Sequence, residues 1–332
     1  MAVSTQNSEG IAFLAFPGQT ELLLSELEER FGFDERPEQT FGELLLFADR
    51  KRFMEKSGGK FPYWSRTVMT APFILNFDTI GEAAGALKKI MRNWAPYQFT
   101  QFRRAALIQE KLPYINLKPR KFPSRIPGSP IGLYTLTGKN TMLASAETTS
   151  RLPAGTVTFI EDHENPPSRA YLKIQESLTM AQLLNGTEFP HEGQKCLEAG
   201  ACPGGWTWVL AGLGAEVLAV DRSELVPELM ANPLVKFMAH DAFTIRPQDA
   251  GAFDWIFSDV ICYPERLLGW INGWLDSGLA KNMICTIKMQ GKTDWNLISR
   301  FEEIPGSRIL HLNYNKHELT WIRTERTASD TE

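Results

Sequence analysis

The stretch CLEAGACPGGWTWVLAGLGAEVLAVDRS, residues 196–223, sets two apolar runs on either side of a turn that holds Gly200, Pro203, Gly204 and Gly205. The outer runs have the length and composition of buried strands, and the segment after the turn has that of a helix. Strand, glycine turn, helix and strand open a parallel α/β sheet, which takes its ligands at the carboxyl ends of the strands. The turn is neither a dinucleotide fingerprint, which reads G-x-G-x-x-G, nor a P-loop, which needs Gly-Lys-Ser or Gly-Lys-Thr. It offers no lysine to a triphosphate. Glycine has no Cβ, so the backbone of such a turn can approach a ligand closely.

Outward from this stretch the pattern is regular. Strands are expected at 195–199, 216–220, 235–239, 255–258, 283–287, 308–312 and 318–323, and helices at 206–213, 224–230, 265–275 and 295–302. This alternation predicts a doubly wound parallel sheet. Three acids fall at strand ends. Asp221 could accept from both hydroxyls of a ribose. Asp241 could take the exocyclic amine of an adenine, and Glu198, just before the turn, could hold a cationic amino acid moiety. Together they suit a nucleoside with a positive centre, which describes S-adenosylmethionine. Asp221 and Asp241 can also be read as helix N-caps or turn formers.

The 332 residues suffice for two domains, expected at 1–160 and 161–332. The first reads as a small α+β module: a strand from Ile11, a Pro17-Gly18 turn, a helix with Thr20 as N-cap, Leu23, Leu24, Leu27 and Phe31 as its apolar stripe and Gly32 as its stop, then a strand at 44–47. A strand at 73–77, a helix at 82–94 and strands within 131–144 and 156–160 follow. Between Lys88 and Arg125 ten bases face one acid, Glu110, and interleave with Trp94, Tyr97, Phe99, Phe102, Tyr114 and Phe122. Such a region can neutralise phosphates and stack on unpaired bases; the alternative is a core lying beside a solvated helix face. Prolines at 113, 119, 123, 127 and 130 mark a loop or domain edge.

The formal net charge of -4 gives no global attraction to polyanions or membranes. Four cysteines without CxxC or Cys/His spacing fit a reducing compartment, and no metal is called for. A polar N-terminus and the lack of about 18 uninterrupted apolar residues lead to the expectation of a cytoplasmic protein with neither a membrane partner nor an obligate protein partner.

The motifs AGACPGGWT (199–207) and PSRAYLKIQES (167–177) resemble the FtsJ-like family of ribose 2'-O-methyltransferases, and over roughly 168–323 the likeness is to members that modify a ribose of 23S ribosomal RNA. LAFPGQTELLLSEL (14–27) is similar to the start of those members, more loosely. The resemblance implies a Rossmann-like S-adenosylmethionine-dependent methyltransferase domain behind an N-terminal THUMP-like RNA-binding module. It implies cofactor contacts at Glu198, Gly200, Cys202, Pro203, Gly204, Gly205, Trp206, Asp221, Asp241 and Asp259. It also implies a Lys-Asp-Lys-Glu tetrad on Lys173 in SRAYLKIQE, Asp259 in FDWIFSDV, Lys288 in ICTIKMQGK and Glu318 in KHELTW. Glu198 departs from the family, where aspartate is commoner. Lysine has an ordinary pKa of about 10.4, so Lys288 serves either as a general base or as a fixed cation, and the sequence leaves both open. Alternative substrates are transfer RNA, a capped messenger end, a small molecule or a protein. A non-catalytic RNA-binding ribosome-assembly factor is the reading outside enzymes.

Overall fold

The structure, a computed structural model, describes residues 3–325. The chain divides into two compact units, residues 1–119 with 127–158 and residues 120–126 with 159–332. Among the described residues no helix is long and apolar enough to cross a membrane.

The first unit holds β1 (Ser4–Asn7), β2 (Ile11–Ala15), α1 (Thr20–Phe31), β3 (Gln39–Phe41), β4 (Leu44–Phe47), α2 (Arg50–Ser57), β5 (Ser65–Met69), β6 (Phe73–Asn76), α3 (Ile80–Ile90), β7 (Trp94–Pro96), α4 (Phe102–Lys111), β8 (Gly132–Leu136) and β9 (Thr141–Ser145). Its strands form a four-stranded sheet, β3-β4-β2-β5, and a five-stranded one, β1-β6-β9-β8-β7. Ala12, Leu14, Leu44, Leu46 and Met69 of the first sheet share a core with Leu133 and Leu143 of the second. In α1, Leu23, Leu27 and Phe31 are buried and Gly32 ends the helix at a φ of 61°, whereas Gln19, not Thr20, is the N-cap, with no side-chain hydrogen bond. The helix expected to reach residue 94 stops at Ile90. Trp94 instead starts the short edge strand β7 and is fully buried, with its indole N–H on Leu87 O at 2.9 Å. Tyr97 is likewise buried. The aromatics between Lys88 and Arg125 therefore separate: these two rings are core, while Phe102 (58% exposed) and Tyr114 (85%) face solvent.

The second unit holds α5 (Tyr171–Asn185), β10 (Lys195–Ala199), α6 (Gly205–Gly212), β11 (Glu216–Asp221), α7 (Pro227–Met230), β12 (Val235–Ala239), α8 (Pro247–Ala250), β13 (Phe253–Ser258), α9 (Pro264–Ser277), β14 (Ala280–Lys288), α10 (Trp295–Glu302), β15 (Ser307–Leu310) and β16 (Glu318–Arg323). Seven strands form one sheet in the order β12-β11-β10-β13-β14-β16-β15. The five from β12 to β14 run parallel, and β10 and β13 at the centre are apolar and buried along most of their length. The prediction of a wholly parallel sheet is corrected at one edge. β16 lies antiparallel between β14 and β15, because it follows β15 through a tight turn rather than a crossover helix. Helix starts are chemically marked: Pro264 occupies the first turn of α9, and the Asp294 carboxylate accepts from Leu297 N at 3.0 Å at the head of α10. Residues 120–126 join this unit through Phe122, which packs on Phe159 and Phe189 with ring centroids 5.8 and 5.4 Å apart.

Candidate active site

Two clusters occupy the carboxyl ends of the parallel strands. The first gathers all four residues of the expected tetrad. Lys173 lies in the first turn of α5, Asp259 directly follows β13, Lys288 ends β14 and Glu318 begins β16. Lys288 and Glu318 are cross-strand partners in the β14/β16 register, so the antiparallel reversal at the sheet edge is what brings the glutamate to the site. Lys173 Nζ stands 3.2 Å from both oxygens of Asp259 and 2.7 Å from Glu318 Oε1, and Lys288 Nζ stands 2.6 Å from Asp259 Oδ1.

The charges in this cluster hold one another ionised. Burial pulls the Lys173 pKa down, but Asp259 and Glu318 outweigh it and the net shift is upward. Burial pushes Asp259 up, and Lys173 and Lys288 more than reverse it, so its carboxyl sits below the usual range. Glu318 follows the same pattern, brought below its usual value chiefly by Lys173 against the opposing effect of burial. Lys173 is thus a fixed ammonium. Lys288 contacts one carboxylate where Lys173 contacts two, and its side chain is 18% exposed against 8%.

Positioning groups with no distinctive spacing surround this cluster, and the sequence reading missed them. Glu176, one helical turn beyond Lys173, is buried and accepts from Asn313 N at 2.9 Å and Tyr314 N at 3.0 Å. It fastens α5 to the turn that leads into Glu318. The Glu318 carbonyl in turn accepts from Asn315 Nδ2 at 3.1 Å and lies 3.0 Å from His311 Nδ1. The i, i+3 spacing of Lys173 and Glu176 was the one available signal for such a clamp.

The second cluster surrounds the glycine turn. Gly204 has a φ of 114°, and a Cβ there would lie 2.3 Å from Leu229 Cδ1; one on Gly205 would lie 2.4 Å from Ser168 Oγ. Gly204 is required by its left-handed φ, and at Gly205 a Cβ would displace the Ser168 hydroxyl, reasons other than the ligand approach inferred from sequence. Gly200 N donates to Val220 O at 2.9 Å, which ties the turn to the next strand. Asp221 accepts from Cys202 N and Ser223 N, each at 3.0 Å, one on each carboxylate oxygen, so it orders both loops at the carboxyl ends of β10 and β11. Cys202 and Pro203 are exposed at the rim of the turn.

Trp206 and Asp241 point elsewhere. The Trp206 ring is buried on Phe257 and donates Nε1–H to Ala170 O at 2.9 Å, which makes it part of the packing behind the turn. Asp241 caps the following 3-10 turn through Phe243 N at 3.0 Å and pairs with Arg222 and Arg266 at 3.0 and 3.2 Å. Here the plainer alternative, an N-cap, describes the geometry.

Glu198 is the unusual member. It is 3% exposed, and Thr207 Oγ1 donates to its Oε2 at 2.5 Å. Burial pushes its carboxyl up to about 8, the Thr207 hydrogen bond opposes this, and the like charges of Asp259 and Asp221 add to it.

Residues 166–275 match the family model described as FtsJ-like methyltransferase. Over those residues the second unit is similar to the FtsJ-like methyltransferases. The ribosomal RNA large subunit methyltransferase M of Halorhodospira halophila is 36% identical over 125 residues, 38% of this chain and 36% of that protein. The protein of the same name from Hahella chejuensis is 27% identical over 223 residues, 66% of this chain and 54% of that protein. The chain thus spans about a third to a half of the length of these relatives. Among solved structures, the fibrillarin of Aeropyrum pernix with bound S-adenosylmethionine is a distant likeness, 18% identical, with a TM-score of 0.30 over 43% of this chain and 72% of that one. In the FtsJ-like domain, the family match ends at residue 275, before Lys288 and Glu318; those two are placed by the sheet.

Proposed function

We propose that this chain is an S-adenosylmethionine-dependent RNA ribose 2'-O-methyltransferase acting in the cytoplasm on 23S ribosomal RNA, in the manner of ribosomal RNA large subunit methyltransferase M (RlmM). The observation that carries this reading is the closed Lys173, Asp259, Lys288 and Glu318 cluster, with contacts of 2.6–3.2 Å at the carboxyl ends of β13 and β14, in an FtsJ-like domain. The first unit, on this reading, is a THUMP-like module that binds the RNA, with Phe102, Arg103 and Arg104 on its surface.

The residues around the glycine turn fit the proposed donor. Glu198 is a buried acid met by the hydroxyl and backbone of Thr207 and by no cation, which suits a ligand with a positive centre. Asp221 retains lone pairs for the hydroxyls of a ribose, since each oxygen accepts one backbone N–H. The donor supplies an electrophilic methyl group on a sulfonium. A ribose hydroxyl is a weak acid, so its attack needs a group that removes its proton or, as a fixed ammonium, stabilises the developing alkoxide while the proton passes to solvent. Lys288 is assigned that place, because it is the less enclosed of the two ammonium groups and Asp259 fixes its direction. Lys173, held by two carboxylates, orients Asp259 and Glu318 and keeps the cluster neutral overall.

The test is incubation with labelled S-adenosylmethionine and deproteinised total RNA from cells lacking this protein, followed by mapping of the ribose that becomes resistant to alkaline cleavage. Label is expected at a 2'-oxygen of the large ribosomal RNA. Label in transfer RNA or a capped end would change the substrate, and label in protein or metabolite with unlabelled RNA would overturn the reading.

A further inference from the structure

Asp259 is followed by Val260, Ile261, Cys262 and Tyr263 before α9 begins. In this loop the side chains alternate: Cys262 is buried, while Ile261 is 81% exposed and Tyr263 66%. A single exposed apolar residue needs no explanation, but two large ones flanking a buried anchor, in the loop that carries an active-site carboxylate, do. The loop is fixed at both ends, by Asp259 in the tetrad and by Pro264 in the first turn of α9. The exposed pair is therefore presented by an ordered backbone and contributes little to the fold.

The surroundings select the occupant. Arg266, in the first turn of α9, is 52% exposed in its side chain and Arg222 is 78% exposed, and both share the single carboxylate of Asp241. Arg266 donates its backbone N–H to Tyr263 O at 3.1 Å, so the turn that follows the exposed pair carries a guanidinium able to meet a phosphate, with Glu265 exposed beside it. An exposed aromatic ring next to a cationic residue is an arrangement that receives unpaired bases. Four residues span at most about 14 Å of extended chain, so bases flanking a ribose at Lys288 come within reach of Tyr263.

We propose that Ile261 and Tyr263 form a stacking wedge that receives an unpaired base of the RNA strand next to the target ribose, a substrate-positioning site on the loop after β13. This rests on the RNA methyl-transfer reading above. The wedge acts on substrate alone: Tyr263 supplies the stacking face, Ile261 supports the base from the side, and neither belongs to the tetrad or the glycine turn.

The experiment uses the full chain and a short single-stranded RNA of mixed sequence carrying 2-aminopurine, whose fluorescence is quenched on stacking. Tyr263→Ala is expected to raise the dissociation constant about tenfold, within the range of one lost base–aromatic stack, and to abolish the quenching, while Tyr263→Phe retains both. Ile261→Ala is expected to weaken binding to a smaller degree. With total RNA as substrate, Tyr263→Ala should raise KM for RNA and leave kcat at saturation and S-adenosylmethionine affinity unchanged. Wild-type quenching and KM in Tyr263→Ala, with the wild-type protein methylating RNA, would overturn this site and leave the function standing. Failure of the wild-type protein to label any RNA would overturn both.

Discussion

The two groups of buried carboxylates in the second unit have opposite charge states. Asp259 and Glu318 are ringed by two lysines and held below the ordinary carboxylate range. Glu198 and Glu176 are more deeply buried, meet no cation, and are both pushed up to about 8 by burial. Glu176 satisfies its oxygens with two backbone N–H groups, whereas Glu198 is met by the hydroxyl and the backbone of Thr207 alone among its hydrogen-bond partners. Burial is common to all four, so the neighbours decide. The tetrad is a set of charges complete in itself, ready for a neutral hydroxyl. Glu198 lacks such a cationic partner, and a cation placed beside it would favour its ionised form.

The sharpest way to break this contrast is to remove charge from the complete cluster. Lys288→Ala leaves Asp259 paired with Lys173 at 3.2 Å, so the fold and the glycine turn should persist. If Lys288 handles the hydroxyl proton, turnover falls by roughly a thousandfold, within the range for loss of a general acid–base group, with cofactor affinity within several-fold of the wild type. Single-turnover methyl transfer and calorimetry on the same preparation check both, and near-normal turnover would remove the assignment. Asp221→Ala is the complementary change in the other cluster. Loss of the two backbone N–H contacts and of the proposed ribose contact should weaken S-adenosylmethionine by about tenfold, the equivalent of one good hydrogen bond, with kcat at saturating cofactor largely kept. Equal affinity in the calorimeter would contradict the ribose contact.

How much of this was legible in the sequence depended on whether a signal was local. Strands β10, β12 and β16 and helix α10 fall at their expected residues, because each is a short apolar or periodic run between clear breakers. The approach of Lys173, Asp259, Lys288 and Glu318 could not be read from spacing, since they come from four elements between residues 171 and 323; it entered only through the family resemblance. The antiparallel direction of the strand that presents Glu318 was missed for a related reason: apolar content marks a strand but not its direction. Trp206 and Trp94 show the same limit from the other side. An aromatic beside a glycine turn or a basic run has equal claim to ligand and core, and both rings are taken by the core. Asp241 was written as a cap or a ligand contact, and its cap hydrogen bond is made within two residues.

The finest test concerns the Glu198 proton itself. Its folded pKa of about 8 lies above the ordinary 4.5, so in this window the folded state holds a proton that the unfolded chain has released. The stability this group contributes is therefore full below about 4.5 and is lost as pH rises through about 8. Glu198→Gln keeps the hydrogen-bonding shape and removes the titration. Its melting temperature relative to the wild type should climb between those two pH values and level off above the upper one, while Glu176, present in both proteins, cancels from the comparison. A bound cation would favour the ionised carboxylate, so S-adenosylmethionine should expel this proton on binding and bind more tightly as pH approaches about 8. Calorimetry in two buffers of different ionisation enthalpy counts the proton directly, and Glu198→Gln should release none. Parallel melting curves across the window would mean that Glu198 is ionised in the fold as Asp259 is. The two clusters would then share one charge state, and the inference of a cationic ligand from an unpartnered acid would lose its footing.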